Sequence, residues 1–315
     1  MVLGIFFSTL DLMAIRIGPM PLTELDMTVL KTISTLYVAT REQVQRVCCA
    51  DHASGRGTRK RLSRLGKAGY IVKHRVPVAL PGTNGAAPVY YPTKKGAEAL
   101  ASYFDDERFL ATNTKHPRAD RLSHWIACNN TRITVEKAVQ HVDQVELVQW
   151  INEWETVNKD DAKSDQFCLH TQLVDKPPLS CSPDAGFLIR FQDQQLVYYL
   201  EQDRATSSPK QVASRKHRGY AELSRQQGHR KHFPETSVPF FRVLFVTPSE
   251  SRAKRTQEEM QSRTGKELWL MMNEKALNET NFLTGDLAID HAGETGPLLM
   301  LPKPETSPPL TVEQT

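Results

Sequence analysis

The sequence predicts an α+β or α/β protein of two folded domains, and three observations carry that prediction. Near the N-terminus, three amphipathic helices precede a short hairpin, which together make one compact unit. From residue 120 onward, helices alternate with strands that are apolar enough to form a buried mixed sheet. With 315 residues, of which 39% are hydrophobic and 24% are charged, the chain can bury two separate cores.

The N-terminal helices are predicted from the spacing of apolar residues and from their caps. Residues 25–36 place their apolar side chains on one helical face. Thr40 is the expected N-cap of a second helix, and Thr58 that of a third, which follows the turn at residues 54–57. We expect Gly69 to end the third helix, because glycine is the usual residue just beyond a helix.

A predicted hairpin completes this unit. Its strands are residues 70–76 and 89–91, and they are joined by a tip rich in proline and glycine. Three helices followed by a hairpin is the order of a winged helix-turn-helix, which we assign to residues 22–108. The preceding residues 1–21 are expected to be a disordered extension. In such a domain the third helix would lie in the major groove of double-stranded DNA.

The charge of this unit favours a nucleic-acid partner. Residues 40–75 contain ten lysines and arginines but only two acidic residues. A charge run is usually a solvated helical face, but that explanation does not account for the near absence of acids. The residues predicted to contact DNA lie on the third helix and the first hairpin strand: Arg59, Lys60, Ser63, Arg64, Lys67, Lys73 and Arg75.

Cysteine usage and hydropathy exclude several other classes of protein. The five cysteines are scattered and have no C-x-x-C spacing, so they support neither a disulfide framework nor a zinc site. The first twenty residues lack the basic start and the cleavage site of a signal peptide. No run approaches the roughly 18 apolar residues that a membrane span requires. We therefore expect a soluble, cytoplasmic protein that has no membrane partner.

The second domain is predicted to alternate between helices and strands. A polar insertion at residues 158–165 precedes a hairpin, and residues beyond 291 are expected to form a disordered tail. The remaining elements are helices at residues 131–142, 208–226 and 248–263 and strands at residues 145–150, 240–246 and 267–272.

The hairpin carries the first indication of a chemical site. Its strands are residues 187–191 and 196–200, and with Asp193 and Gln194 as the turn its apolar side chains share one face. On the other face this register places Asp184 opposite Asp203, with Glu201 nearby. Directly opposed carboxylates repel, so the pattern indicates a bound cation or a shifted proton. The alternative is that these acids simply mark strand ends that meet solvent.

A lysine on the following helix is the natural partner of these acids. Lys216 shares a helical face with Tyr220 and Leu223, so it should point toward the sheet. A lysine directed inward is costly unless it is paired, which predicts an ion pair with Asp184, Glu201 and Asp203. Two interpretations remain open, namely a lysine that takes part in catalysis and a purely structural ion pair.

Taken in order, several short motifs resemble the replication-relaxation family of bacterial plasmid and mobile-element proteins, over roughly residues 22–290. The resemblance implies a winged helix followed, at residues 120–290, by a diverged PD-(D/E)XK nuclease-like fold, which is a restriction-endonuclease-like mixed sheet flanked by helices. Besides the winged-helix pattern, the motifs are Leu122-Ser123-His124-Trp125, Trp150-Ile151-Asn152-Glu153, Pro183-Asp184-Ala185, the segment 200–206, Lys216 with Tyr220, and the segment 242–247.

The resemblance also implies a metal site of the nuclease type. Asp184 and Glu201 match the acids of the family, and Glu153 matches a third acid that follows an earlier strand. A PD-(D/E)XK site has lysine two residues after the second acid, but this chain has Asp203 there. Lys216 would have to replace that lysine. If the site is active, Mg²⁺ is the expected cofactor.

The predicted function is that of a DNA-binding protein of a plasmid or integrated mobile element in the bacterial cytoplasm. It would act in replication initiation, relaxation or mobilisation, by recruiting or assisting replication or relaxosome proteins at an origin. One alternative is a metal-dependent endonuclease or relaxase that nicks DNA with Asp184, Glu201 and Lys216. A further alternative is a winged-helix transcriptional regulator whose nuclease-like domain is inactive.

Overall fold

A computed structural model describes residues 21–50, 54–77, 79–83, 85–157 and 167–300. Within it, the chain forms two compact units that divide between Ile133 and Thr134. Nearly all of the N-terminal extension and the whole polar insertion at residues 158–165 lie outside the described residues, as do residues 301–315 of the expected tail.

The first unit contains helices and one small sheet. Its three strands are antiparallel and lie in the order β1-β3-β2. In chain order the elements are α1 (Glu24–Leu36), β1 (Ala39–Thr40), α2 (Arg41–Cys48), α3 (Arg56–Lys67), β2 (Ile71–His74), β3 (Val89–Pro92) and α4 (Lys94–Phe104).

The two predicted helix caps have different outcomes. Thr40 caps α2 and forms a capping box with Gln43, as the sequence indicates. The prediction for Thr58 is wrong, because α3 already begins after Gly55, and Thr58 lies buried inside the helix. Gly55 has a φ of 58°, a left-handed conformation that glycine adopts without strain, so the backbone can enter the helix earlier than the threonine suggested.

The second unit is built around a seven-stranded mixed sheet. Helix α5 (Leu122–Ala138) crosses the division between the units. The elements that follow are β4 (Val145–Asn152), β5 (Thr171–Val174), β6 (Leu179–Cys181), β7 (Ala185–Phe191), β8 (Gln194–Gln202), α6 (Pro209–Arg225), α7 (His229–His232), β9 (Phe241–Thr247), α8 (Glu250–Met260), β10 (Trp269–Asn273), β11 (Ala288–Ile289) and β12 (Thr295–Gly296).

The strand order of the large sheet is β12-β11-β10-β9-β8-β7-β4. Strands β8, β9 and β10 are parallel, whereas the other neighbours are antiparallel. Helices α6 and α8 make the two parallel crossovers, and their buried side chains share one core with the sheet. The predicted α+β class, with a mixed sheet flanked by helices, is confirmed.

The hairpin register differs from the prediction. Gln192 and Asp193 form the turn, so Phe187 pairs with Tyr198 rather than with Leu200. The turn closes one residue earlier because Gln192 adopts a left-handed conformation, with a φ of 53°. The pairing moves by two residues, so each side chain keeps its predicted face. The opposition of Asp184 and Asp203 is therefore wrong.

The end of the sheet extends into the expected tail. Strand β12 lies beyond residue 291 and pairs with β11. Leu299 is buried, and its backbone N–H donates to the carbonyl of Leu283 at 2.9 Å. Residues 291–300 are thus folded against the second unit, unlike the disorder that their composition suggested. Among the described residues, no helix is both long enough and apolar enough to cross a membrane.

Candidate functional site

An ion pair between a buried carboxylate and a partly exposed lysine links the second hairpin strand to helix α6. Glu201 lies near the end of β8, and both of its carboxylate oxygens lie within 2.9 Å of the Lys216 ammonium. The Tyr220 hydroxyl donates to the same carboxylate at 2.6 Å. Ser208 caps α6 and sets its phase, so that Lys216 and Tyr220 lie one turn apart on the side that faces the sheet.

The surroundings of this pair shift both of its pKa values. Burial raises the pKa of Glu201 to about 7; the Lys216 ammonium opposes this rise, and the nearby charge of Asp184 adds to it. Burial alone would lower the pKa of Lys216, but the carboxylates of Glu201 and Asp184 outweigh it and raise that pKa above its usual range. The ammonium therefore stays charged at neutral pH.

Asp184 is fixed at the start of β7 by three hydrogen bonds. Its N–H donates to the carbonyl of Leu200 at 3.1 Å, and its carboxylate accepts from the N–H of Gln202 at 2.8 Å. The carbonyl of Asp184 accepts from the N–H of Glu153 at 3.2 Å. The backbone thus holds Asp184 next to both the end of β8 and the turn after β4.

Glu153 and Asp184 bring two carboxylates together. One carboxylate oxygen of each lies within 4.8 Å of the other, a separation that one cation can bridge. Oxygen ligands of this kind fit Mg²⁺. The carboxylate of Glu201 is already engaged by Lys216 and Tyr220, so it could bind a metal only by giving up hydrogen bonds. Glu153 and Asp184 are therefore the two predicted metal ligands whose carboxylates lie close enough together to share one cation.

Asp203 binds a different set of partners. The Arg252 guanidinium donates to both of its carboxylate oxygens, and the Thr247 hydroxyl donates to one of them at 3.0 Å. The backbone N–H of Ala205 also donates to it at 3.0 Å. These contacts join the end of β8 to β9 and α8. Asp203 was predicted to pair with Lys216, but the structure gives it a structural role between these elements.

A concave surface in the first unit collects most of the predicted DNA contacts. It is a groove of about 530 Å³ between α2, α3 and the β2–β3 hairpin. Arg59, Ser63, Lys67 and Lys73 line it, together with Arg41, which we had not proposed as a DNA contact. Its remaining lining residues are Glu42, Leu62, Gly66, Ala87, Pro88 and Tyr90. We call this surface the basic groove.

The other three predicted contacts lie outside the basic groove. Lys60 and Arg75 are exposed. Arg64 forms an ion pair with Asp26, a fully buried residue of α1 that also pairs with Arg61 at 2.5 Å. Burial alone would raise the pKa of Asp26, but hydrogen bonds from Thr23 and from the two arginines lower it below its usual value. Arg64 is therefore a structural link between α1 and α3.

Sequence reasoning missed two contributors to these sites. Tyr220 was placed on the inward face of α6 but was not recognised as a donor to Glu201. Its position four residues after Lys216 was the available signal, because residues four apart on a helix are neighbours. Arg41 had been counted only as part of the local charge. Its place in the groove depends on how α2 meets the hairpin, which local spacing does not reveal.

Comparisons with known proteins add a family assignment. No curated protein matches the chain. A solved structure of the restriction endonuclease FokI is similar over 80% of this chain and 68% of that chain, with 9% sequence identity and a TM-score of 0.23. A TM-score this low does not show a shared fold. The sequence model of the replication-relaxation family matches residues 30–236, which is well over half of the chain. The chain therefore belongs to the replication-relaxation family.

Proposed function

We propose that this protein binds duplex DNA through the basic groove and acts in the replication or relaxation of a plasmid or mobile element. The observation that carries the proposal is the lining of the groove, where Arg41, Arg59, Lys67 and Lys73 face Glu42 as the single acidic residue among those that the structure describes. Cations gathered in a concave surface favour a polyanion, and lysine and arginine are the usual contacts to DNA phosphates. Family membership supports a role at DNA.

The order of elements in the first unit also supports duplex DNA. Three helices precede an antiparallel hairpin, as in a winged helix-turn-helix. Arg59, Ser63 and Lys67 line the groove from α3, and Lys73 lines it from β2. A duplex backbone seated in the groove would contact cations from both elements. The protein would then recruit replication or relaxosome proteins to the bound origin.

The test is the salt dependence of duplex binding. Glutamine at Arg59, Lys67 and Lys73 should weaken binding, and the slope of log affinity against log salt should become shallower by about 0.9 for each phosphate that the variant no longer neutralises. The matched control replaces three exposed cations of the same unit that lie outside the groove, Lys94, Arg108 and Lys115, with glutamine. Equal slopes for the groove variant and the wild type would refute the proposal. Arg64 is left unchanged, because it forms an ion pair with the buried Asp26.

A second candidate function is metal-dependent DNA nicking in the second unit. The observation that favours it is the approach of Glu153 and Asp184 to within 4.8 Å, next to a charged lysine. These two carboxylates would hold Mg²⁺, which when bound stabilises negative charge on a phosphate. Lys216 would place its positive charge beside the same site. Glu201, as the partner of Lys216, would keep that charge in position.

Nicking has a direct assay, because one cut converts a supercoiled plasmid into an open circle. If the site is active, the wild type with Mg²⁺ or Mn²⁺ should give open circles, whereas Asp184→Asn should give none. The control is Asp193→Asn in the hairpin turn, which removes a carboxylate away from the site. Absence of conversion by the wild type would leave DNA binding as the function.

A further inference from the structure

The second unit carries a basic surface that neither proposed site uses. Residues 209–232 contain seven lysines and arginines and one acidic residue, Glu222. Six of these cations are exposed, and five of them, which exclude Lys210 in the first turn of α6, are considered together. We call them the α6–α7 basic surface: Arg215, Arg218, Arg225, Arg230 and Lys231.

The helical phase of α6 separates this surface from the core. Ala213, Tyr220 and Leu223 are buried on the side toward the sheet. Arg215, Arg218 and Arg225 follow at spacings of three and seven residues, which places them along the opposite side. The exposed cations of α7 continue the charge beyond the end of α6. The surface is therefore continuous along the chain and free of core packing.

Among the described residues, most of this charge has no acidic partner. Glu222 is bound by Arg225 at 2.5 and 2.9 Å. Within the part of the chain that the structure describes, no carboxylate pairs with Arg215, Arg218 or Lys231. The pKa of His217 is lowered, first by burial and then by the charges of Arg263 and Arg218, which is consistent with a positive local potential.

The exposed face of the neighbouring helix α8 carries charges of both signs, as is usual for a solvated helix. Its lysine Lys254 pairs with Glu250 at 2.7 Å, four residues away, and the helix also carries Glu258 and Glu259. Mixed charges of this kind stabilise an exposed helix and limit self-repulsion. Helix α6 lacks this mixture, so its cations repel one another until an anionic partner neutralises them.

We propose that the α6–α7 basic surface is a second DNA-contact surface, which binds the sugar–phosphate backbone of duplex DNA without reading its sequence. Ten residues separate Arg215 from Arg225, or about 15 Å of helix. That length spans roughly four phosphates of one DNA strand. Among the described residues, no exposed aromatic side chain occurs in this segment, so it offers no platform on which unpaired bases could stack.

The test compares two triple variants of the full chain with the wild type. The first replaces Arg215, Arg218 and Lys231 with glutamine, leaving Lys216 and its ion pair intact. The second is a matched control that removes the same charge from exposed cations at Lys254, Arg255 and Lys266. Duplex binding is measured by fluorescence anisotropy over a range of salt concentrations, after circular dichroism confirms that both variants fold.

The expected result is a shallower salt dependence for the first variant only. If all three cations contact phosphates, the slope changes by about 2.7, so between about 50 and about 200 mM salt the affinity of the wild type falls about fortyfold more than that of the variant. The same change should appear when Arg59, Lys67 and Lys73 of the basic groove are already neutralised. A change in slope measured with the groove cations already neutralised cannot come from those three residues.

Three outcomes would overturn the inference. An unchanged slope for the α6–α7 variant, alongside a changed slope for the groove variant, would reject this surface and leave the proposed function intact. An equal change in slope for the control variant would mean that the effect comes from the net charge of the protein and not from this surface. Displacement of DNA by polyglutamate, combined with tighter binding of polyglutamate than of DNA at the same salt, would assign the surface to an acidic protein instead.

Discussion

Replacing Lys216 with methionine tests whether the ion pair on Glu201 is a buried structural element. The side chain of Glu201 is 6% exposed, whereas that of Lys216 is 38% exposed. The substitution therefore leaves a buried carboxylate with the Tyr220 hydroxyl as its remaining donor from α6. Removing one partner of a fully buried pair costs about 3–5 kcal/mol, but partial exposure of Lys216 reduces this figure through solvent screening.

The pH dependence of the free energy of unfolding gives a more specific estimate of the effect of Lys216→Met. In the wild type, burial raises the pKa of Glu201 to about 7, and removal of the ammonium should raise it further. A folded-state pKa above the unfolded value means that the folded state binds more protons, so stability falls as pH rises. At pH 6 the carboxyl is largely protonated in both proteins, so the electrostatic difference between them is small. By pH 8 the variant should be about 1–2 kcal/mol less stable than the wild type.

The assay is urea unfolding at pH 6, 7 and 8, with Lys210→Met as the control because that lysine is exposed on the same helix. The double variant Lys216→Met with Glu201→Gln should show little of the pH-dependent difference, since no buried carboxylate remains. A free-energy difference between wild type and Lys216→Met that stays constant from pH 6 to pH 8 would refute the buried ion pair.

Two further predictions concern buried polar contacts. Arg64→Ala should lower the free energy of unfolding by about 1–3 kcal/mol, because it removes one of two guanidinium partners of buried Asp26. Lys60→Ala, as the control, should change it by less than about 0.5 kcal/mol. Urea titration measures both values, and equal effects of the two substitutions would contradict the ion pair. His232 is buried and its pKa is lowered to about 4, mainly by burial, so the unfolded state binds its proton first as pH falls from 6.5. Stability should therefore fall by about 3 kcal/mol between pH 6.5 and pH 4 in the wild type relative to His232→Gln, and parallel pH profiles of the two proteins would contradict that assignment.

Helical phase was the part of the site that the sequence predicted best. Lys216 could be directed toward the sheet because apolar residues at Val212 and Leu223 define the buried side of α6, and the Ser208 cap fixes where the helix begins. The contact with Glu201 follows because α6 comes directly after β8 and packs on the sheet. Local rules of periodicity and capping are sufficient for this inference.

The strand register of the hairpin and the long-range partners of charged side chains could not be predicted from the sequence. Gln192 in the turn adopts a left-handed conformation, which glutamine rarely does and which the sequence therefore did not indicate. The pairing of β7 with β8 was consequently predicted two residues away from the observed one. Asp203 was assigned to Lys216, but it binds Arg252, which lies 49 residues away on α8. Arg64 was likewise assigned to DNA, because nothing near it in the sequence indicates its ion pair with Asp26.

The proposed function requires that duplex DNA lies in the basic groove. Photo-crosslinking tests this most directly, with benzoylphenylalanine introduced in place of Ser63, which is exposed on α3 and lines the groove. The control position is Glu98, which is exposed on α4 of the same unit and lies outside the groove. We predict that the probe at Ser63 crosslinks to duplex DNA and that the probe at Glu98 does not. Equal crosslinking at both positions, or none at Ser63 under conditions in which the protein binds DNA, would contradict the claim.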